Sequence, residues 1–540
     1  VTSLALYWRT LRHLKPVQVY GRARFRLSRP RPDLRPPPAR RSRVGTWLRP
    51  ARRRASLIGP ETFVLLNRAG RIAAAADWDS PEHDRLWLYN LHYFDDLAAE
   101  GAQARVDWHR LLIARWIAEN PPGAGTGWEP YPLSLRVVNW IKWTLAGNPL
   151  APDVLASLAV QARFLRARLE WHLLGNHLLA NGKALVFAGL FFEGPEAEAW
   201  LATGLDILAR EIPEQVLADG GHFERSPMYH ALVFEDLLDL INLAGSFPGV
   251  VPAHHTAEWR QASERMQIWL AAMTHPDGRI AFFNDAAFGV APEPRELFDY
   301  ARRLGLGDAA PADPVTHLAH SGYVRLASGP AVALLDVAPV GPDYLPGHAH
   351  ADTLSFELSL FGERLIVNSG TSVYGGGSER QRQRATAAHS TVEIDGENSS
   401  EVWGAFRVAR RARPFALTLG DSDGRMVVTC AHDGYHRLPG RVTHRREWML
   451  GRGSLSVSDR IEGRFKRAVA RYFLHPAASA AGNDKEGTIA ISAGRVARWT
   501  VEGGRATIAA SAWHPEFGRS EPAQCLEVEA GPHCRVTLHW

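Results

Sequence analysis

The sequence predicts a two-part chain, a helical toroid or bundle followed by antiparallel β-structure of sandwich type. Three observations lead there. The chain has 540 residues, too many for one small core. From about Ser56 to Leu306, apolar residues recur at three- and four-residue spacing. After Ala310–Pro314, short alternating runs separated by turn residues take over. The expected parts are a basic arm at 1–55, a toroid at 56–312 and a sandwich at 313–540.

Helices are expected over Val106–Glu119, Leu133–Ala146, Val154–His172, Leu178–Phe192 and Ala231–Ala244, with Pro, Gly and Asn between them. Strands are expected at Tyr323–Ala327, Ala331–Val337, Thr353–Leu360, Arg364–Val367, Thr391–Ile394, Met426–Cys430, Ser454–Ser458 and Ala468–Leu474. Hydrophobic residues make up 46% and charged residues 22%, values of a folded globular chain rather than a disordered one. The 3 cysteines form no C-x-x-C pair, which argues against a disulfide scaffold or a zinc ribbon. No apolar run reaches about 18 residues, and Leu4–Tyr7 is too short for a signal-peptide core. Cytoplasm and periplasm both stay open.

Charge is unevenly spread. Residues 1–55 hold 15 Arg, Lys15 and one acid, Asp33, a net +15. The whole chain is only +5, so the other 485 residues together carry −10. The arm reads as a solvated surface segment or as a tether to a membrane surface or an acidic polymer. A nucleic-acid partner is not expected. Dinucleotide-binding, P-loop, zincin and α/β-hydrolase motifs are absent.

Five constellations carry chemistry. Gly175-Asn176-His177 follows a helix end. Asn176 either caps the next helix or hydrogen-bonds a carboxylate, and His177 is either an interior histidine or its helper. His222-Phe-Glu224-Arg225-Ser226-Pro227-Met-Tyr229-His230 places Tyr229 in the first turn of a helix capped by Ser226, as a proton donor or acceptor. His348-Ala-His350-Ala-Asp352 runs toward a strand. If it is already strand, His348 and His350 share a face, and His389 could join as a metal ligand with Asn368 supplying oxygen. Trp128, Tyr131, Arg136, Asn139 and Trp140 set aromatic faces beside polar groups, a combination that suits sugar rings as well as a core. The Arg380–Arg413 stretch, including Arg384, is a guide for a polyanion or a solvated face.

Together these motifs resemble the heparinase II/III-like polysaccharide lyases. The resemblance rests on His348-Ala-His350-Ala-Asp352-x-x-Ser355-Phe-Glu-Leu, Asn368-Ser-Gly370-Thr371 and Ala388-His389-Ser-Thr-Val-Glu-Ile-Asp395-Gly396, with the G-N-H and E-R-S-P-x-Y-H segments, over about residues 60–500. It implies β-elimination on a uronic-acid-containing polysaccharide, leaving an unsaturated uronate end. It implies that Asn176, with His177, neutralises the sugar carboxylate, that Tyr229 is base, acid or both, and that His348 is the second acid–base group. Trp128, Tyr131, Arg136, Asn139, Trp140, Glu224, Arg225 and Arg384 would bind substrate. No cofactor is required. A divalent metal, zinc or calcium, would sit on His350, Asn368 and His389, although family members commonly place an acid where Asn368 stands. The alternative is a non-catalytic glycan-binding or assembly protein of exopolysaccharide production.

Overall fold

The computed structural model describes residues 4–309 and 313–540. The expected boundary at 312 lies outside the described residues. Helices α1 (Leu4–Leu11) and α2 (Pro16–Leu27) open the chain, and a three-stranded hairpin sheet covers 57–71. The helical half follows: α3 (Arg85–Tyr93), α4 (Val106–Glu119), α5 (Pro130–Leu145), α6 (Pro152–Ala167), α7 (Gly175–Phe191), α8 (Pro195–Gln215), α9 (Pro227–Ser246), α10 (Ala253–Ala272) and α11 (Pro294–Arg303). Proline opens α5, α6, α8, α9 and α11, where its missing N–H costs nothing.

α7 is the hub of this half. It is apolar on nearly every side, so it must be surrounded, and it packs on α5, α6, α8 and α9. Small residues let α8 come close. A Cβ at Gly189 would lie 2.6 Å from the Leu201 amide nitrogen, and one at Gly204 would lie 2.8 Å from that of Val186. α6 ends at Ala167, earlier than the periodicity to His172 suggests, because Arg168 leaves the helical conformation and a turn follows.

Beside a small two-stranded ribbon of Val402–Trp403 and Arg407–Val408, the second half is built on a 15-stranded antiparallel sheet folded on itself. Its order is Pro414–Ser422, Arg425–Tyr435, Val442–Leu450, Ser454–Glu462, Glu521–His539, Ala468–Leu474, Glu363–Val367, Phe356–Leu360, Ala331–Asp336, Tyr323–Ser328 and Val315–Leu318, with four further strands off this path. Alternation is clean in Val442–Leu450, where every second residue is buried. The two ends of the sheet close on a shared core in which Val324, Leu326 and Phe356 join Trp448, Tyr472 and Trp499. The strand expected from Thr353 begins only at Phe356; residues 348–352 are loop.

The halves do not merely touch. Trp269, Met273 and Phe283 pack with Leu318, Tyr323 and Leu334. Phe282 and Phe288 pack with Trp513. Between these two seams the loops 284–285, 348–352 and 368–374 meet the starts of α7 and α9.

Candidate active site at the junction of the two halves

Asp285 lies at the centre and is fully buried. Its carboxylate accepts hydrogen bonds from His348 Nδ1 at 2.9 Å and His350 Nε2 at 2.8 Å. The Arg380 guanidinium, from the short helix α12 (Ser378–Arg384), grips both oxygens, one at 2.7 Å. Burial opposes the charge on Asp285, but Arg380 and the two histidine hydrogen bonds outweigh it and hold the carboxyl well below the usual carboxylate range. His348 and His350 therefore converge by flanking one carboxylate, not by alternation along a strand.

His348 is the member of this group that reaches outward, with 16% of its side chain exposed. Its ring lies 3.9 Å from that of Tyr229, centroid to centroid, and its Nε2 is 3.7 Å from Glu224. Ser226 caps α9 as expected, its hydroxyl accepting the Tyr229 N–H while donating to the Asp285 carbonyl. That double role ties the first turn of α9, and Tyr229 with it, to the Asp285 loop. The Tyr229 hydroxyl is 3.1 Å from that of Tyr374, which is 3.4 Å from His348 Nδ1. Burial, then Tyr374 and Asp285, push the Tyr229 phenol well above its ordinary value. At neutral pH Tyr229 is a neutral proton donor, so the depressed pKa that a resting base would need is not present.

Glu224 is the other unusual group. It is 2% exposed, and neither carboxylate oxygen has a hydrogen-bond partner among the described residues. Burial pushes its pKa up. A Cβ on Gly175, at the start of α7, would come 3.5 Å from its Oε1, so Glu224 faces the turn that presents Asn176 and His177. Asn176 occupies the first turn of α7 but caps nothing; the cap position is Leu174. His177 Nδ1 meets Glu170 at 3.2 Å and its ring lies over Tyr131 at 4.4 Å. Burial lowers the His177 pKa, but Glu170 more than offsets this and the net direction is upward. Leu174, Arg225 and Asn284, all beside the site, hold positive φ angles of 61°, 59° and 57°. Such strained backbone persists where surrounding packing over-determines it.

Several expected binding residues are elsewhere. Trp128, Arg136 and Trp140 are 3%, 0% and 0% exposed and belong to the toroid core. The Arg136 guanidinium stacks on Trp116 at 3.7 Å and donates to Gln161, so it cannot reach a polymer. Asn139 spends its amide on the Tyr93 carbonyl and Asp95. Arg384 is also fully buried and ties the 349 and 404–405 carbonyls together. Arg225 donates to the Ser321 and Phe223 carbonyls, a bracing contact between the halves. Tyr131 and Glu224 do lie at the site. Asp285, Tyr374 and Glu170 were missed. Asp285 had a signal, an Asn-Asp pair inside the apolar run Ile280–Phe288.

The metal set does not assemble. His350 Nδ1 faces His389 Nε2 at 3.2 Å, and burial lowers both imidazoles. Asn368, however, donates to the Phe282 carbonyl at 2.8 Å while its oxygen accepts the Ser390 N–H at 3.1 Å. Its neutral amide is committed to bracing loops, and two imidazoles alone make a poor site for zinc or calcium. Among the described residues, no group of three or more His, Cys, Asp or Glu is arranged to hold a metal.

Fold and site define a two-part protein, a helical toroid joined to an antiparallel sandwich, with acid–base groups from both halves at the seam. Comparison with known proteins narrows the class. Residues 113–296 match the model "Heparinase II/III N-terminus" and residues 310–535 match "Heparinase II/III-like, C-terminal". The chain belongs to the heparinase II/III-like family. A heparin-sulfate lyase of Bacteroides stercoris is 32% identical over 344 residues, 54% of this chain and 50% of the relative. The chain thus spans about half the length of that relative. The FtsZ-localized protein C of Caulobacter vibrioides is 27% identical over 442 residues, 75% of this chain and 72% of its own. Among solved structures, a heparinase III superposes with a TM-score of 0.64 at 20% identity, covering 87% of this chain and 81% of its own. A heparan sulfate lyase from Pedobacter heparinus gives 0.58 at 19%, covering 97% and 87%. These likenesses establish the toroid–sandwich fold.

Proposed function

We propose that the chain is a polysaccharide lyase that cleaves a uronic-acid-containing polymer by β-elimination. The observation that carries this is the Asp285–His348–Tyr229 cluster, in which a carboxylate-oriented imidazole and a neutral phenol lie ring against ring at the seam. Membership of a family whose relatives include heparin-sulfate lyases supports it. A protein that only binds glycan has no need of such a pair.

The chemistry follows from the groups present. Asp285 accepts a hydrogen bond from the Nδ1–H of His348, which leaves the Nε2 lone pair, on the Glu224 side of the ring, free to accept a proton. Nε2 removes the proton beside the sugar carboxylate. The carbon–oxygen bond to the leaving sugar breaks as its electrons leave with that oxygen, and the electrons of the broken C–H bond become the ring double bond. Tyr229 gives its proton to the departing oxygen. The Tyr374 hydroxyl lies between the Tyr229 hydroxyl and His348 Nδ1 and holds the two rings in register; the proton taken up on Nε2 leaves to solvent once product departs, and Tyr229 regains its own from solvent. The substrate carboxylate must be neutralised for its neighbouring proton to become acidic. Among the described residues Asn176 has no hydrogen-bond partner, and His177 beside it in the chain has a raised pKa; both serve this role, with Glu224 donating its proton when protonated.

Ultraviolet absorbance of unsaturated uronate products tests the proposal, using heparan-, alginate- and exopolysaccharide-type polymers. Absorbing ends from at least one polymer are expected. Intact polymer throughout the panel would remove the lyase reading.

A further inference from the structure

The basic arm is not a loose tether. α2 buries Gln18 and Gly21, and Gln18 donates to the Tyr344 carbonyl. Gly21 lies against the His172 backbone, and Phe25 stacks on the His172 ring at 4.3 Å. α1 is held to the sandwich by Arg9 on Glu401 and by the Trp403 indole donating to Thr10. The arm's inward contacts are therefore made, and the outward faces stand out against them.

On α1, Leu4, Tyr7, Trp8 and Leu11 are exposed and follow the i, i+3, i+4, i+7 spacing of one helical face. On α2, Val19, Tyr20, Ala23 and Leu27 form a second exposed face. Seven of the eighteen exposed large apolar residues described lie between 4 and 27. Such clustering marks an interaction surface, since scattered exposed apolar residues are ordinary. Arg22 and Arg26 flank the α2 face on one side and Arg24 on the other, all exposed and without an acidic partner among the described residues. In the turn joining the helices, Arg12 and His13 line a cavity of about 210 Å³ with Arg410, Arg411, Arg413, Arg437 and one acid, Asp433. Arg411 and Arg413 also pair with Asp343, Arg410 with Glu401 and Arg437 with Glu397, so the cations outnumber the acids but are not bare. The Arg411 side chain is 2% exposed; its Nη2 donates to the Asp343 and Val408 carbonyls and its Nη1 lies 3.5 Å from the Asp343 carboxylate, while its Nε has no hydrogen-bond partner among the described residues.

We infer that α1 and α2 form a docking surface for an anionic phospholipid bilayer, with the apolar faces entering the interface and the arginine-lined cavity receiving a headgroup phosphate. Apolar stripes flanked by arginine are the signature of helices that lie in a bilayer surface. No helix among the described residues is long and apolar enough to cross a membrane. An acidic polysaccharide would match the charge but offers no apolar interior for Trp8, Leu11 and Leu27. A second copy of the chain would set arginine against arginine. This inference is independent of the lyase reading.

The test is co-sedimentation of the full chain with vesicles of phosphatidylglycerol and phosphatidylcholine, against pure phosphatidylcholine. Salt-sensitive uptake by the anionic vesicles is expected. Trp8→Glu combined with Leu27→Glu should lower the partition at least tenfold. Arg22→Gln, Arg24→Gln and Arg26→Gln together should lower it similarly and flatten its salt dependence. All five side chains are exposed, so thermal unfolding should be unchanged, which separates lost docking from lost folding. Equal uptake by both vesicle types, or uptake untouched by either variant set, would overturn the inference. So would retention by soluble heparin without vesicle uptake, or a dimer that the Trp8 and Leu27 changes dissolve without vesicle uptake.

Discussion

Asp285 holds Arg380, His348 and His350 through its carboxylate, and its carbonyl accepts the Ser226 hydroxyl that caps α9. Asp285→Asn should act twice. It leaves a buried arginine without its counter-charge, a loss of about 3–5 kcal/mol in a denaturant or thermal melt. It also releases the His348 tautomer, lowering kcat by about 10²–10⁴ if the elimination proceeds as proposed. Tyr229→Phe removes the proposed proton donor while leaving the ring in place, so the fold should hold and kcat should fall about 10²–10⁴-fold. A fully active Tyr229→Phe enzyme would take Tyr229 out of the mechanism. Arg136→Ala provides the contrast. Its guanidinium stacks on Trp116 deep in the core, so the melt should drop by a few kcal/mol. The KM of enzyme that remains folded should stay put; a selective rise in KM would return Arg136 to the cleft.

At the scale of elements, the site depends on where α7 and α9 begin. The strained Leu174 turn launches α7, and its tight packing on α8 keeps that start in place. Gly204→Val would drive a side chain into the Val186 backbone. A cost of about 1–3 kcal/mol is expected from overpacking, read as a lowered Tm. Most helices were legible as elements because apolar spacing records which face is buried. The strand start at Thr353 was not. His348, His350 and Asp352 alternate with alanine just as a strand would, but their side chains are consumed by the 284–285 loop, so they never join the ladder. Trp128, Arg136 and Trp140 failed for a related reason. Aromatic and cationic residues at helical spacing look alike whether they face a sugar or another helix.

Across the whole molecule, the two halves share apolar cores and the arm braces both. α8 shows a consequence. Glu211 is buried near the Lys15–Glu214 contact, and burial pushes its pKa up to about 7 from an ordinary 4.5. The folded state thus holds that proton more tightly than the unfolded chain. Stability from this group is fully present below pH 4.5 and is lost as pH rises through about 7, at most about 3 kcal/mol. Glu211→Gln should therefore be more stable than the parent at pH 8 and nearly equal to it at pH 4.5. Melts at the two pH values check this; parallel pH slopes would show that Glu211 is not the source.

The sequence by itself determined the order of a helical and a β half, the capped start of α9 at Ser226, and the concentration of positive charge in the first 55 residues. These are local facts, set by periodicity, capping chemistry and composition. Only the tertiary structure decided that Asp285 is the hub, that Arg384 and Arg136 are interior braces, that Asn368 is committed to loops, and that the arm packs inward while showing apolar faces outward. Each of these depends on which distant segment a side chain meets, and burial and pairing across hundreds of residues leave no periodic trace in the chain.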